Sequence, residues 1–172
     1  MEINNGGISL KQQINKELEY HVRDPTFNEI IDNVYVGNYA FALNKKLLLD
    51  NKITHILNCG IGLKNFYERE GIFKYLNIPL YDSKKQNLEK YIIISNNFIE
   101  EGSRNNNRVL IHCGEGVSRS VAICLMYLIT KKGMIFSKAK DAFAQKRAGC
   151  CPNDGFVSQL KLNLLSYIIR YN

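Results

Sequence analysis

The chain has 172 residues, 45% hydrophobic and 23% charged, with a net charge of +7 and a pI near 9.1. That length and balance suit one globular domain with a sizeable core, and the lack of any run of about 18 apolar residues excludes a membrane-spanning helix. The positive charge fits an anionic partner (a phosphopeptide, a phospholipid headgroup or nucleic acid) and equally a lysine-rich solvated surface.

In chain order, residues 1–7 are polar and carry Gly6-Gly7. Ser9 with Gln12 forms a capping box, and Ile14, Leu18 and Val22 follow at helical spacing, which predicts a first helix over 9–21. Asp24-Pro25 ends it. FNEIIDNVYVGN reads as two short strands around an Asp-Asn turn, and Ala40 to Asn51 as an amphipathic helix. ITHILN (53–58) and FKYLNIPL (73–80) are strands, and Leu88 to Glu101 is a helix closed by Gly102. Val109–His112 is a short apolar strand. Ser118 to Lys132 is a helix apolar on nearly every face, hence central, and Gly133 is placed to end it. Ser137 caps a helix through Lys146, and Asn153 caps a last helix to about Tyr171. Alternating strands and helices predict an α/β layered fold.

The stretch HCGEGVSRS joins the 109–112 strand to the central helix. A turn holding Gly114 and Gly116 can aim several backbone N–H groups at one point. The helix N-terminus adds its own N–H groups and positive dipole end. Arg119 can fold its planar fork over two oxygens of the same anion. The features that attract a tetrahedral phosphate also favour a thiolate at Cys113, beneath the bound phosphorus, where it can attack. No GKS or GKT follows, so the loop is not a Walker A.

These residues resemble the signature HCxxGxxR of the cysteine-dependent protein phosphatases, with His112, Cys113, Gly116 and Arg119 in the signature positions. The fuller form, together with NVYVGN, ITHILN, IPLYD and NDGF, is similar to small dual-specificity phosphatases. The resemblance implies a single-domain fold: a central mixed, twisted sheet of about five strands flanked by about six helices. Residues 1–25 would be an extension with one helix and 26–172 the catalytic domain. It implies that Cys113 takes the phosphoryl group, and that Arg119 binds phosphate and stabilises the transition state. Ser120 would help the sulfur leave, and His112 would orient the loop. The phosphate would rest on Gly114, Glu115, Gly116, Val117, Ser118 and Arg119. The chemistry also needs a proton for the leaving oxygen. Asp82, about thirty residues before Cys113, is the candidate acid and later base, with Glu115 and Asp154 as alternatives.

Of the five cysteines, Cys59 is a candidate redox partner for Cys113, Cys124 is read as core, and Cys150-Cys151 have no assigned role. No spacing suits a metal, so none is expected, nor any cofactor. The N-terminus has no apolar signal core, and Glu2 rules out myristoylation. A cytoplasmic or nuclear monomer with reduced thiols is expected. Its partners would be phosphoproteins, without nucleic acid. The expected reaction is hydrolysis of phosphotyrosine and phosphoserine/threonine. The alternatives are the same chemistry on a phosphoinositide, an RNA 5′ end or a phosphoglycan, and an inactive module that captures phosphoproteins. Lys84-Lys85 fit acidic substrates and equally a solvated loop; Arg104, Arg108, Lys146 and Arg147 are read as surface cations, and Tyr35, Tyr39 and Tyr81 as core.

Overall fold

The computed structural model describes residues 23–171. The helix expected over 9–21 lies outside them. β1 (Phe27–Ile31) and β2 (Val34–Gly37) form the expected hairpin, with Asn33 at its turn in the left-handed region. Two short helices follow, α1 (Tyr39–Ala42) and α2 (Lys45–Asp50), where the sequence suggested one. The break has a local cause. Asn38 and Asn44 each accept the N–H three residues on, from Phe41 and Leu47, at 3.0 Å, so each starts its own helix.

β3 (His55–Gly60) starts two residues later than expected and runs on through Cys59, because Gly60 pairs with Leu80 of β4 (Lys74–Leu80). α3 (Ile92–Gly102) is preceded by a 3₁₀ turn over 89–91. β5 (Val109–His112) and α4 (Arg119–Thr130) fall where the apolar runs placed them. α5 (Phe136–Lys146) begins one residue before Ser137, which therefore lies within the first turn and does not cap it. α6 (Asp154–Tyr171) is capped by Asn153, whose Oδ1 accepts from Phe156 N at 3.0 Å.

The five strands make one mixed sheet in the order β1-β2-β5-β3-β4, antiparallel only between β1 and β2. β5 is the middle strand. Its His112 pairs in register with Gly37 on one side and Asn58 on the other. All four of its residues are buried, and they alternate between the two faces. Leu110 joins Tyr35, Phe41, Leu48 and Ile56 under α1 and α2. Val109 and Ile111 join the larger core under α3 to α6, where Ser120 to Ile129 of α4 are all buried. Burying each such aliphatic side chain contributes about 1.5–3 kcal/mol. The packing therefore fixes the end of β5 and the start of α4, and with them the loop between. That loop lies at the carboxyl ends of the parallel strands, the usual crevice for ligands in such sheets.

Candidate active site

Six residues, Cys113 to Ser118, span the gap between β5 and α4. Among the described residues, none of the backbone N–H groups of residues 114–119 is paired with a protein acceptor. The loop carbonyls, in contrast, are held. Gly114 O accepts from Tyr39 N at 2.9 Å, Val117 O from Cys151 N at 3.1 Å, and Gly116 O from Arg147 Nε at 3.1 Å. Gly116 has φ +69°, and a Cβ there would lie 2.6 Å from Gly37 O. Both constraints demand glycine.

Cys113 is 2% exposed, at the floor of this loop. Its Sγ lies 3.2 Å from Ser120 Oγ. Arg119, the first residue of α4, reaches toward β4, with Nη1 3.5 Å from Leu80 O; its Nε is buried without a hydrogen-bond partner. A buried guanidinium N–H without a hydrogen bond, in a loop whose amides also lack one, is a costly arrangement unless an anion completes it. His112 is buried, and burial pushes its imidazole down to about 4, so it is neutral at pH 7. Tyr39 stacks on it, with centroids 5.7 Å apart. Tyr39 OH in turn bridges the backbone of Lys64.

The structure brings Asp82 to the rim of the loop. Its Oδ1 accepts from Ser118 Oγ at 2.7 Å and from Asn153 Nδ2 at 2.8 Å, while Oδ2 stands 4.0 Å from Arg119 Nε. One carboxylate oxygen is anchored and the other faces the guanidinium. The two alternative acids are engaged elsewhere: Glu115 with Arg23, and Asp154 with Lys84. Asp154 is the first residue of α6 and not its cap.

Cys59 is fully buried on β3, one residue beyond the partner of His112, on the same sheet face as Cys113. Burial pushes its thiol well up, and Cys113 adds to the effect. Both thiols are free. Cys124 is core as expected, and burial raises its thiol too. Among the described residues, no group of His, Cys, Asp or Glu could hold a metal ion, and no helix is long and apolar enough to cross a membrane.

Two side chains near the site depart from the sequence reading. Tyr81 is 60% exposed beside Asp82, because the 81–86 loop turns outward with Tyr81 N bonded to Gln86 Oε1. Arg147 is not a surface cation: its guanidinium also donates to Asn28 Oδ1 at 2.7 Å and to Thr26 Oγ1 at 3.0 Å. Asn153 and Gly155 were missed as supports of Asp82. A Cβ on Gly155 would lie 2.1 Å from Lys84 O, so only glycine lets the 82–85 loop approach α6. The NDGF stretch was visible, but nothing local ties it to a loop seventy positions earlier.

The family model "Dual specificity phosphatase, catalytic domain" matches residues 34–163. The chain belongs to the dual-specificity phosphatase family. It is 41% identical over 132 residues to MAP kinase phosphatase with leucine-rich repeats protein 1 of Dictyostelium discoideum, covering 77% of this chain and 15% of that protein. It is 35% identical over 134 residues to dual specificity protein phosphatase 1B of Arabidopsis thaliana, covering 78% and 79% of the two. In the first case the chain thus matches a small part of a longer protein. A crystal structure of a mouse putative dual specificity phosphatase complexed with zinc tungstate superposes with a TM-score of 0.78, over 87% of this chain and 92% of that one. At 24% identity that likeness supports the family's fold.

Proposed function

We propose that this chain is a protein phosphatase that hydrolyses phosphotyrosine and phosphoserine/threonine through a cysteinyl-phosphate, with residues 26–172 as its catalytic unit. The observation that carries the reading is one loop in which the amides of 114–119 bond no protein acceptor, Arg119 Nε is buried without a hydrogen bond, and Cys113 is buried at the loop's start. The phosphoryl oxygens accept from those groups, which also stabilise the charge that spreads over them in the transition state. Cys113 Sγ attacks phosphorus, and the S–P bond forms as the P–O bond breaks. Asp82, through the oxygen that Ser118 and Asn153 leave free, gives its proton to the departing oxygen. In the second step the same carboxylate takes a proton from water, which attacks phosphorus. The hydroxyl of Ser120, 3.2 Å away, stabilises the thiolate that leaves. His112 stays neutral and holds the loop through its packing on Tyr39.

The loop holds Glu115, ion-paired with Arg23, and no lysine to meet the extra charge of a phosphoinositide headgroup, which favours a phosphoprotein. Cys59, in the same buried cluster as Cys113, captures a sulfenic acid formed on Cys113 as a disulfide, with loss of water, in this reading. The protein is expected to act as a monomer in the cytoplasm or nucleus. The test is a phosphopeptide panel assayed in chelator with wild type, Cys113→Ser and Asp82→Asn. Wild type should release phosphate from phosphotyrosine and phosphothreonine peptides. Cys113→Ser should release none, and Asp82→Asn should be slowed about 100-fold or more. Turnover by Cys113→Ser would refute the mechanism, and release from phosphoinositides alone would refute the substrate class.

A further inference from the structure

The segment Arg147–Cys151 runs behind the phosphate loop, and no part of the chemistry above uses it. Three of its groups bind loop carbonyls. Arg147 Nε and Cys150 Sγ both address Gly116 O, at 3.1 and 3.4 Å, and Cys151 N addresses Val117 O at 3.1 Å. In a trans peptide the carbonyl and the following N–H lie in one plane and point in opposite directions. Holding Gly116 O toward Arg147 therefore turns the Val117 N–H the other way. Holding Val117 O toward Cys151 does the same for the Ser118 N–H.

Arg147 does more than cap a carbonyl. Its other nitrogens bond Asn28 and Thr26, at the edge strand of the sheet and just before it. Its Nη2 also stands 2.8 Å from where a Cβ on Gly116 would project. The planar fork thus occupies the space that this glycine leaves, and ties the loop to β1 through three donors held in one rigid plane. Gly116, with its positive φ and no side chain, is otherwise the residue freest to rotate its peptide. Amides that must meet an anion gain most when they are already aimed before it arrives.

We infer that Arg147 is a positioning residue: it fixes the Gly116–Val117 peptide so that the Val117 N–H faces the phosphate. The inference rests on the phosphatase reading of the site. It differs from that of Arg119, whose guanidinium would touch the substrate. Arg147 acts from behind, through the loop's backbone.

The test compares wild type, Arg147→Met and Arg147→Lys for turnover of p-nitrophenyl phosphate, for inhibition by tungstate, and for the movement of the Val117 amide resonance on adding tungstate. Arg147→Met should lose at least tenfold in kcat and at least tenfold in tungstate affinity, and its Val117 resonance should move little. Arg147→Lys keeps one donor and should recover part of both. A purely structural role would lower the melting temperature without weakening tungstate binding in the folded protein. A folded Arg147→Met with wild-type kcat and tungstate affinity would overturn the inference. Should Arg147→Met not fold, the pair Thr26→Val with Asn28→Ala decides. It keeps the bond to Gly116 but frees the guanidinium from β1, and should lose about threefold or more in tungstate affinity; an unchanged affinity would overturn the inference. A wild type inactive on every phosphate monoester would instead refute the phosphatase reading itself.

Discussion

Two neighbouring residues at the end of β5 are both buried but carry different chemistry. Cys113 sits at the start of the phosphatase signature loop, with its Sγ against the Ser120 hydroxyl. His112 faces Tyr39 and the sheet interior, and burial holds its imidazole down at about 4. Because an unfolded histidine protonates near 6.5, the unfolded chain takes up the extra proton between pH 6.5 and about 4. Stability is therefore complete above pH 6.5 and is lost as pH falls through that window. Urea midpoints at about pH 7 and pH 5 should show wild type losing about 2 kcal/mol more than His112→Gln. Equal losses in the two proteins would show that His112 is not held neutral. The identities of Cys113, His112 and Arg119 were legible in the sequence because one continuous stretch carries them. The neutrality of His112 was not, since it depends on Tyr39 and on strands β2 and β3 closing around it.

At the scale of elements, three loops meet at one end of the sheet. The loop after β5 supplies the amides, the loop after β4 supplies Asp82, and the start of α6 fastens the second to the first. Asn153 serves two elements at once: Oδ1 caps α6 and Nδ2 holds Asp82. The sequence showed its capping role, because capping is local. The second role is a contact across seventy-one positions and leaves no local mark. Asn153→Ala should cost about 1 kcal/mol in stability through the lost cap, and about tenfold in kcat through a looser Asp82. Asn153→Asp should keep the cap yet set a carboxylate against Asp82, so stability and activity should separate. A thermal melt with steady-state kinetics on both variants checks this; parallel losses in both would contradict it. The break between α1 and α2 was also hidden, although its cause is local. The apolar pattern runs through it, and Asn44 reads as one more polar position until its side chain is seen to cap.

At the scale of the molecule, the mixed sheet was implied only by the family resemblance, while the α/β class and the central helix were legible because strands alternate with helices and α4 is apolar beyond what a surface element tolerates. Strand order was not, since each pairing joins segments far apart in the chain. The order matters for the site. With β5 in the middle, its carboxyl end is buttressed by Gly37 on one side and Asn58 on the other. The proposed anion site is thus part of the folded framework, and an anion that fills it should stabilise the whole domain. Tungstate at 100 times its dissociation constant should add about 2.7 kcal/mol, which raises the melting temperature by roughly 5–10 °C for a domain of this size. Arg119→Ala should abolish the rise, and a rise of the same size in that variant would place the anion elsewhere.

The central claim is that phosphate passes through a covalent bond to one sulfur. The direct measurement is mass spectrometry of protein quenched in acid during turnover of an aryl phosphate, with Ser120→Ala used to slow the second step. One phosphoryl group should be found on the peptide containing Cys113, in amounts that rise as the second step slows. Sustained turnover with that peptide unmodified, or with the phosphoryl group on another residue, would contradict the account.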